Sequence, residues 1–216
     1  TTGAEKAVLR GHESGVYDLV FSPDGKHIIS GGGDNTIKIW DGTSESENMT
    51  INTRYAVEDL AFSRDGKHLV SGGDSTVTIW DVETAIELMT FHGYEGPLNF
   101  GALGPDGKQI ICWNRGRSRG KPIINVWDMA IPAKIMTLRG HERPIYHVSF
   151  REDGKYVVSG SSDSIIKLWD GSTGTELMTF RGHKEPLTCV AFSTDGNRIV
   201  TGGRDGIMKV WDMSTG

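Results

Sequence analysis

The dipeptide Trp-Asp recurs five times along the chain, and this repetition constrains the fold more than any other feature of the sequence. The pairs end at Asp41, Asp81, Asp128, Asp170 and Asp212, so successive pairs lie 40, 47, 42 and 42 residues apart. A period of this length indicates a repeat architecture in which each copy is one supersecondary unit. We therefore predict a single domain over residues 1–216, built from five units that end near those aspartates.

Each unit carries a second signal, an Asp-Gly pair between two apolar runs. It occurs first at residues 24–25 and recurs at residues 65–66, 106–107, 153–154 and 195–196. Asp-Gly in this setting indicates a β-hairpin, because glycine adopts a positive φ without steric cost. Each unit has room for four short strands and tight turns, and none for a helix of ordinary length. The predicted fold class is all-β, with four antiparallel strands per unit.

Gly-His, Asp-Gly, a Ser/Thr-x-x-x-Asp turn and Trp-Asp follow one another in this order, and the combined pattern resembles the WD-repeat family of β-propellers. In that family a His, a Ser or Thr, an Asp and a Trp form a hydrogen-bonded tetrad that holds each blade together. The resemblance implies complete structural tetrads in units one, four and five: His12, Ser30, Asp34, Trp40; His141, Ser159, Asp163, Trp169; and His183, Thr201, Asp205, Trp211.

Units two and three depart from this pattern. Unit two keeps Ser71, Asp74 and Trp80 but lacks the His. Unit three has Cys112 at the position of the serine, no matching Asp, and an enlarged turn before Trp127. We expect the third unit to be the least rigid of the five.

The two ends of the chain are complementary in sequence. Residues 1–12 align with residues 172–183, which supply a fourth strand after unit four, while unit five ends without one. We expect residues 4–9 to complete unit five and close a five-blade ring, which would remove two exposed sheet edges. The alternative is a segment of a larger propeller of seven or more blades, within a longer chain or assembly.

A Ser or Thr, a His and an Asp in each complete tetrad also invite interpretation as a hydrolase triad. The same trio appears three times at the same spacing, whereas an active site is normally unique, so we assign these residues a structural role. No phosphate-binding loop or zinc-protease motif is present. We expect no enzymatic activity, no metal and no cofactor.

Composition narrows the class of partner. The net charge of −5 argues against binding to nucleic acid, because proteins that bind nucleic acid normally carry an excess of basic residues. No apolar run is long enough for a membrane span. Cys112 and Cys189 have neither disulfide-framework nor metal spacing, which favours a reducing compartment such as the cytoplasm. The predicted function is a scaffold for a protein or peptide partner.

The family resemblance also implies where a partner would bind. In such propellers the loops before the first strand and between the second and third strands gather on one narrow face. Tyr17 and Tyr146 are the strongest candidates, because Tyr is enriched at binding hot spots; alternatively, they only fill the mouth of the central channel. The positions mapped to this face are Tyr17, Glu58, Asn99, Tyr146 and Thr188 from the first strands, and Ser162 and Arg204 from the turns.

The enlarged turn of unit three adds a basic loop at residues 115–121. Arg115, Arg117, Arg119 and Lys121 place four cations within seven residues. Such a loop could recruit a carboxylate- or phosphate-bearing segment, which leaves anionic-ligand or nucleic-acid binding as an alternative function. The other interpretation is a tolerated, solvated loop insertion.

Overall fold

The regular secondary structure of the described residues consists of β-strands. The computed structural model describes residues 3–44, 46–74, 76–92, 98–114, 121–129 and 133–214, without the side chains of residues 98–101, 114 and 133. These residues form nineteen strands in five separate antiparallel sheets, which confirms the all-β prediction. None of the described residues belongs to a helix long and apolar enough to cross a membrane.

The chain divides into two compact units, Thr1–Phe91 and His92–Gly216. The first contains sheets 1 and 2, each with four strands in sequence order. Their bounds are β1 Val16–Phe21, β2 His27–Gly32, β3 Thr36–Asp41 and β4 Glu47–Asn52 in sheet 1, and β5 Asp59–Phe62, β6 His68–Gly73, β7 Thr76–Asp81 and β8 Glu87–His92 in sheet 2.

The second compact unit contains sheets 3, 4 and 5. Sheets 3 and 4 have four strands each, and three strands are described in sheet 5. Their bounds are β9 Leu98–Leu103, β10 Gln109–Asn114, β11 Ile123–Asp128 and β12 Ala133–Arg139; β13 Ile145–Phe150, β14 Tyr156–Ser161, β15 Ile165–Asp170 and β16 Glu176–Arg181; and β17 Leu187–Phe192, β18 Arg198–Gly203 and β19 Met208–Asp212.

The Asp-Gly pairs form the turns between the first and second strands of every sheet. In sheet 1, Gly25 has a φ of 71°, and its N–H donates to the carbonyl oxygen of Ser22 at 2.8 Å. The Asp24 carboxylate accepts from the Ser22 hydroxyl at 2.6 Å and from the Lys26 N–H at 3.0 Å, and these bonds hold its pKa below the usual value. The repeated dipeptide therefore has a local cause in turn geometry.

In sheets 1, 2 and 4 the aspartate of the Trp-Asp pair organises the turn between the third and fourth strands. Asp170 accepts hydrogen bonds from the hydroxyl of Ser172 at 2.6 Å and from the backbone N–H groups of Thr173 and Ser172. Together these bonds lower the pKa of Asp170 to about 2. The tryptophan before it is buried, with 1 % of its surface exposed. The pair thus marks the point where a core strand passes into a surface turn.

Within each compact unit, neighbouring sheets pack face to face around glycines. In the first unit, Ile37 and Ile39 of β3 share a core with Leu60 of β5 and with Val57, which lies just before β5. A Cβ added at Gly31 would lie 2.4 Å from Cγ1 of Val57. Because only glycine leaves that space empty, Gly31 is the position that lets the next sheet approach this closely.

The predicted fourth strand of sheet 5 does not appear in the structure. Residues 4–9 lie in no strand and are mostly exposed. Sheet 5 consists of β17, β18 and β19, in that order. Closure of the ring by the N-terminal residues is therefore not shown.

Candidate functional site

Three sets of four side chains form the same hydrogen-bonded chain. In sheet 4 the Trp169 indole N–H donates to Ser159 Oγ at 2.9 Å, and Ser159 Oγ lies 2.8 Å from His141 Nε2. His141 Nδ1 lies 3.1 Å from the Asp163 carboxylate. With a proton on Nδ1, each donor has one acceptor: the indole donates to the serine, the serine to the imidazole, and the imidazole to the carboxylate.

The sets in sheets 1 and 5 repeat this geometry. In sheet 1 the corresponding distances are 2.8 Å from Trp40 to Ser30, 2.7 Å from Ser30 to His12 and 2.9 Å from His12 to Asp34. In sheet 5, each bond of the set Trp211, Thr201, His183 and Asp205 measures 2.9 Å. The structure thus brings together all twelve residues assigned to complete tetrads.

Burial rules out a nucleophilic role for the serine. The order Ser-His-Asp matches that of a hydrolase triad, yet Ser159 has 0 % of its surface exposed. Its oxygen also accepts the Trp169 N–H. The tetrad therefore acts as an internal brace between the loop before the first strand and the two following strands.

The carboxylates of the tetrads are held in their ionised form. Burial opposes the charge of Asp34, but bonds from the Glu13 backbone N–H, the Thr36 hydroxyl and His12 overcome it and lower its pKa to about 2. Burial likewise opposes the charge of Asp163, whose pKa is nevertheless lowered, chiefly by His141. These carboxylates are structural anchors for the loop in which each histidine lies.

Sheets 2 and 3 contain reduced versions of the brace. In sheet 2 the Trp80 N–H donates to Ser71 Oγ at 2.8 Å, while Asp74 is exposed and has a φ of 39°. In sheet 3, Cys112 has no exposed surface, and burial raises the pKa of its thiol. Trp127 of β11 is also buried, and it pairs in register with Ile110, two positions before Cys112.

The braced loops lie along one edge of each sheet, which we call the contact edge: the loop before the first strand and the turn between the second and third strands. A backbone hydrogen bond of 2.9 Å joins these two segments in sheets 1, 4 and 5. Its donors are Gly33, Ser162 and Arg204, and its acceptors are the carbonyl groups of Gly15, Pro144 and Pro186. In sheets 1, 4 and 5 the candidate positions thus lie at the contact edge of their own sheet.

In the first compact unit, the structure places Tyr17 and Glu58 on exposed positions. The Tyr17 ring is exposed and lies over the turn of its own sheet, since a Cβ on Gly33 would come within 2.8 Å of the Tyr17 hydroxyl. Glu58 is exposed just before β5, with its backbone N–H bonded to the Gly72 carbonyl at 2.8 Å. A large aromatic surface is therefore available at the contact edge of sheet 1.

In the second compact unit, two candidates from different sheets meet. The guanidinium carbon of Arg204, in sheet 5, lies 5.9 Å from the ring centroid of Tyr146, in sheet 4. This distance suits a cation–π contact. The exposed Thr188 donates its hydroxyl to the Gly202 carbonyl at 3.1 Å, and Ser162 is half-buried in the turn of sheet 4. Among the described candidate residues, Tyr146 and Arg204 are a pair from two different sheets that contact each other.

The basic loop falls largely outside the described residues. Arg115, Arg117 and Arg119 lie outside them, as does the side chain of Asn99. Lys121 is described, and its ammonium group lies 2.7 Å from the carboxylate of Glu142, in the loop before β13. Both side chains are exposed, so the pair contributes little to stability. Lys121, at the end of the basic loop, thus lies beside the contact edge of sheet 4.

Asp18 and His147, to which the sequence analysis assigned no role, connect neighbouring sheets. Both follow a candidate tyrosine, at a bulge in the first strand. The Asp18 carboxylate accepts the Leu60 N–H of the next sheet at 2.7 Å, and His147 Nδ1 lies 2.8 Å from the Val190 carbonyl oxygen. The sequence offered one signal for these two residues, namely their position directly after a candidate tyrosine. The bulge that lets their side chains reach the next sheet is not visible in the residue pattern.

The described side chains contain no group of three or more His, Cys, Asp or Glu residues that could hold a metal ion. The exposed candidate groups on the braced edges include the aromatic ring of Tyr17 and the guanidinium group of Arg204, while the polar side chains of the tetrads are hydrogen-bonded to one another.

Comparisons with known proteins agree with this geometry. The family model described as "WD domain, G-beta repeat" matches residues 3–41, 47–81, 132–170 and 174–212, which together make up more than half of the chain. The matched ranges leave out residues 82–131, where the third unit has lost its tetrad.

Individual relatives are similar over single stretches. Protein Notchless of Drosophila melanogaster is 45 % identical over 42 residues, 19 % of this chain and 9 % of that protein. Nuclear distribution protein nudF 2 of Talaromyces marneffei is 51 % identical over 39 residues, 18 % of this chain and 9 % of that protein. WD repeat-containing protein 1 of Bos taurus is 40 % identical over 55 residues, 24 % of this chain and 9 % of that protein. The matching stretches thus span about a tenth of the length of each relative.

Proposed function

Because the chain belongs to the WD-repeat family, whose members generally act as protein-interaction scaffolds, we propose that it is a non-enzymatic scaffold that binds a protein or peptide partner at its contact edge. The Tyr146–Arg204 contact carries this proposal. It joins an aromatic ring and a guanidinium group from neighbouring sheets, and these two residue types dominate binding hot spots.

The chemistry of this element indicates the kind of segment it would take. Arg204 offers a planar fork of donors that suits a carboxylate, and Tyr146 offers an amphipathic ring for an apolar neighbour. The backbone beneath both residues is braced by tetrads, so little ordering remains to be done on binding. We infer an extended peptide that combines an acidic side chain with an apolar one.

We further propose that each of the five sheets is one blade of a WD-type β-propeller, which the four family matches and the four-stranded antiparallel sheets support.

Selection from a random peptide library displayed on phage would test the binding proposal. We expect enriched peptides to contain Asp or Glu next to an apolar residue. Their affinity, measured by fluorescence anisotropy, should fall about tenfold or more in Tyr146→Ala and Arg204→Ala, because losses of this size are typical of hot-spot residues. Leu177→Ala is the control, since Leu177 is exposed on the outer strand β16, away from the contact edge.

Two results would contradict the proposal. Peptides that bind all three variants equally well would place recognition elsewhere on the chain. A steep loss of affinity with salt that disappears when Arg115, Arg117, Arg119 and Lys121 are all changed to Ala would favour the alternative, anionic-ligand binding through the basic loop.

A further inference from the structure

The first compact unit contains a cavity between the Asp-Gly turns of its two sheets, which we call the turn cavity. Its volume is about 840 Å³, within the size range of ordinary ligand pockets. It lies at the end of each sheet that carries the turn between the first and second strands, opposite to the contact edge. Negative charge dominates its lining, which has four carboxylates and one ammonium group: Asp24, Asp65, Asp81, Glu83 and Lys67.

The turns themselves keep these carboxylates ionised. The Ser63 hydroxyl and the Lys67 N–H lower the pKa of Asp65. The hydroxyl and the N–H of Thr84 do the same for Asp81. The turn cavity therefore keeps its negative charge at neutral pH, and by charge complementarity it favours a cationic ligand.

In the second compact unit, an arginine of the chain itself fills the equivalent place between sheets 4 and 5. Nε of Arg151 lies 2.9 Å from the Asp153 carboxylate, and Nη1 donates to the carbonyl oxygen of Gly196, in sheet 5, at 3.3 Å. The guanidinium carbon lies 4.1 Å from the centroid of the Tyr156 ring. Only 20 % of the Arg151 side chain is exposed. A carboxylate, an aromatic ring and a carbonyl group of the next sheet thus hold a guanidinium group.

Sheet 1 has the same turn backbone with a short side chain in place of this arginine. The N–H of Arg151 donates to the carbonyl oxygen of Tyr156 at 2.9 Å, and the N–H of Ser22 donates to that of His27 at the same distance. Ser22 therefore occupies the position of Arg151, and His27 that of Tyr156. Because serine cannot reach across to the next sheet, the place that Arg151 fills is left to the turn cavity.

The glycines of the following sheets show the difference directly. A Cβ on Gly196 would lie 2.9 Å from Cδ of Arg151. Gly66 is the equivalent residue of sheet 2, and a Cβ there would meet only the ring of Pro23 within 4 Å, at 3.5 Å or more. Space that a guanidinium-bearing side chain uses between sheets 4 and 5 is thus open to a ligand between sheets 1 and 2.

The groups that would hold a guanidinium remain in the first unit. Asp24 accepts both of its turn bonds on Oδ1, and for Oδ2 the described residues provide only the exposed ammonium group of Lys26, at 3.9 Å. His27 offers an aromatic ring in the place of Tyr156. Its Nδ1 is a buried atom without a hydrogen-bond partner among the described residues. An acceptor oxygen and an aromatic ring therefore line the turn cavity.

We propose that the turn cavity binds the guanidinium group of an arginine side chain from a peptide segment of a partner protein. Asp24 pairs with this group as Asp153 pairs with Arg151. Arginine is favoured over lysine because a planar guanidinium group both stacks on a ring and binds a carboxylate through two N–H groups. This site takes a basic segment at the opposite end of the sheets from the acidic segment proposed for the contact edge, and neither proposal depends on the other.

Titration of the isotope-labelled chain with the peptide acetyl-Gly-Gly-Arg-Gly-Gly-amide, followed by two-dimensional NMR, would test this proposal. We expect saturable shifts of the backbone amide signals of Gly25 and Gly66, which lie in the two turns around the cavity. The matched peptide with citrulline in place of arginine keeps the shape and loses the charge, so it should bind about tenfold more weakly or worse. The matched lysine peptide should bind more weakly than the arginine peptide, because an ammonium group cannot form the two-fold contact.

Ser22→Arg is a variant that fills the turn cavity from within. It gives the turn of sheet 1 the residue that sheet 4 has at this position, so the variant should fold, and its new side chain should exclude the peptide. Ser193→Arg is the control, since it places the same residue at the equivalent position of the turn in sheet 5 and should leave binding unchanged. Asp24→Asn is a second variant, which keeps an oxygen for the turn bonds, removes the charge and should weaken binding about tenfold or more.

Three results would overturn the proposal. Equal affinity for the arginine and citrulline peptides would show that the charge of the guanidinium group is not recognised. Binding that survives in both Ser22→Arg and Asp24→Asn would place the site outside the turn cavity. If no peptide produced saturable shifts, the cavity would not take an arginine from a separate molecule. Peptides selected at Tyr146 and Arg204 could bind normally in each case, so the two proposals fail separately.

Discussion

The energetic contribution of the tetrad can be measured inside this one chain, because sheet 2 carries a reduced version of it. Ser159 Oγ has two partners, the Trp169 indole and the His141 imidazole, at 2.9 and 2.8 Å. Ser71 Oγ has the Trp80 indole at 2.8 Å, in a unit without the histidine. Both serines are buried, so replacing either with Ala leaves its former partners without water to replace the bond.

We expect Ser159→Ala to cost about twice as much free energy of unfolding as Ser71→Ala. An orphaned buried polar group costs about 1–3 kcal/mol, which gives about 1–3 kcal/mol for Ser71→Ala and about 2–6 kcal/mol for Ser159→Ala. Because the same atom is removed from a buried strand position in both variants, the transfer and cavity contributions largely cancel in the comparison.

Urea denaturation followed by tryptophan fluorescence and by far-UV circular dichroism would provide the two free energies. Both signals are needed because the chain has two compact units, which can unfold in separate transitions. Equal costs for the two variants would refute the reasoning, since the bond to His141 would then contribute nothing beyond the bond to the indole.

Two further predictions concern the loss of stability at acidic pH and the contribution of a turn glycine to stability. Asp34 has a folded pKa of about 2, below its ordinary 3.8, so it stabilises the fold above pH 4 or so, and that stability is lost as the pH falls towards 2. Asp34→Asn should therefore be less stable at neutral pH and show a flatter stability profile across that window than the unmodified chain; Glu13→Gln, at an exposed side chain, is the control, and parallel profiles for all three proteins would contradict the assignment. Gly25→Ala should lower the free energy of unfolding by about 1–2 kcal/mol, because Gly25 has a φ of 71° and a Cβ there would meet no atom within 4 Å, so that backbone strain is the whole effect. A thermal denaturation curve identical to that of the unmodified chain would show that the turn adopts a different φ in solution.

Features that depend on nearby residues could be predicted from the sequence. The Asp-Gly turns and the described aspartate-centred turns after the Trp-Asp pairs are closed by hydrogen bonds between residues no more than five positions apart. Their signals therefore lie within single stretches of the chain. The family pattern then located the tetrad members, because the repeat carries their spacing from one unit to the next.

The candidate site was less accessible to such reasoning. Tyr146 and Arg204 come from different sheets, and nothing in either stretch indicates the contact between them. Asp18 and His147 reach the next sheet only because a bulge turns their side chains sideways. The closing strand at residues 4–9 was expected from alignment alone, yet pairing requires a partner edge as well as a suitable sequence, and those residues lie in no strand.

The sequence by itself determined the period, the strands and turns of each unit, and the residues that brace it, because these depend on local hydrogen bonds and on side-chain alternation. Only the tertiary structure decided which apolar side chains are covered. Leu19 and Val190 occupy the same register position in their repeats, but 58 % of one and 1 % of the other is exposed. The physical reason is that burial of apolar surface requires a second surface, so it belongs to the packing of two sheets and not to the residue that is buried.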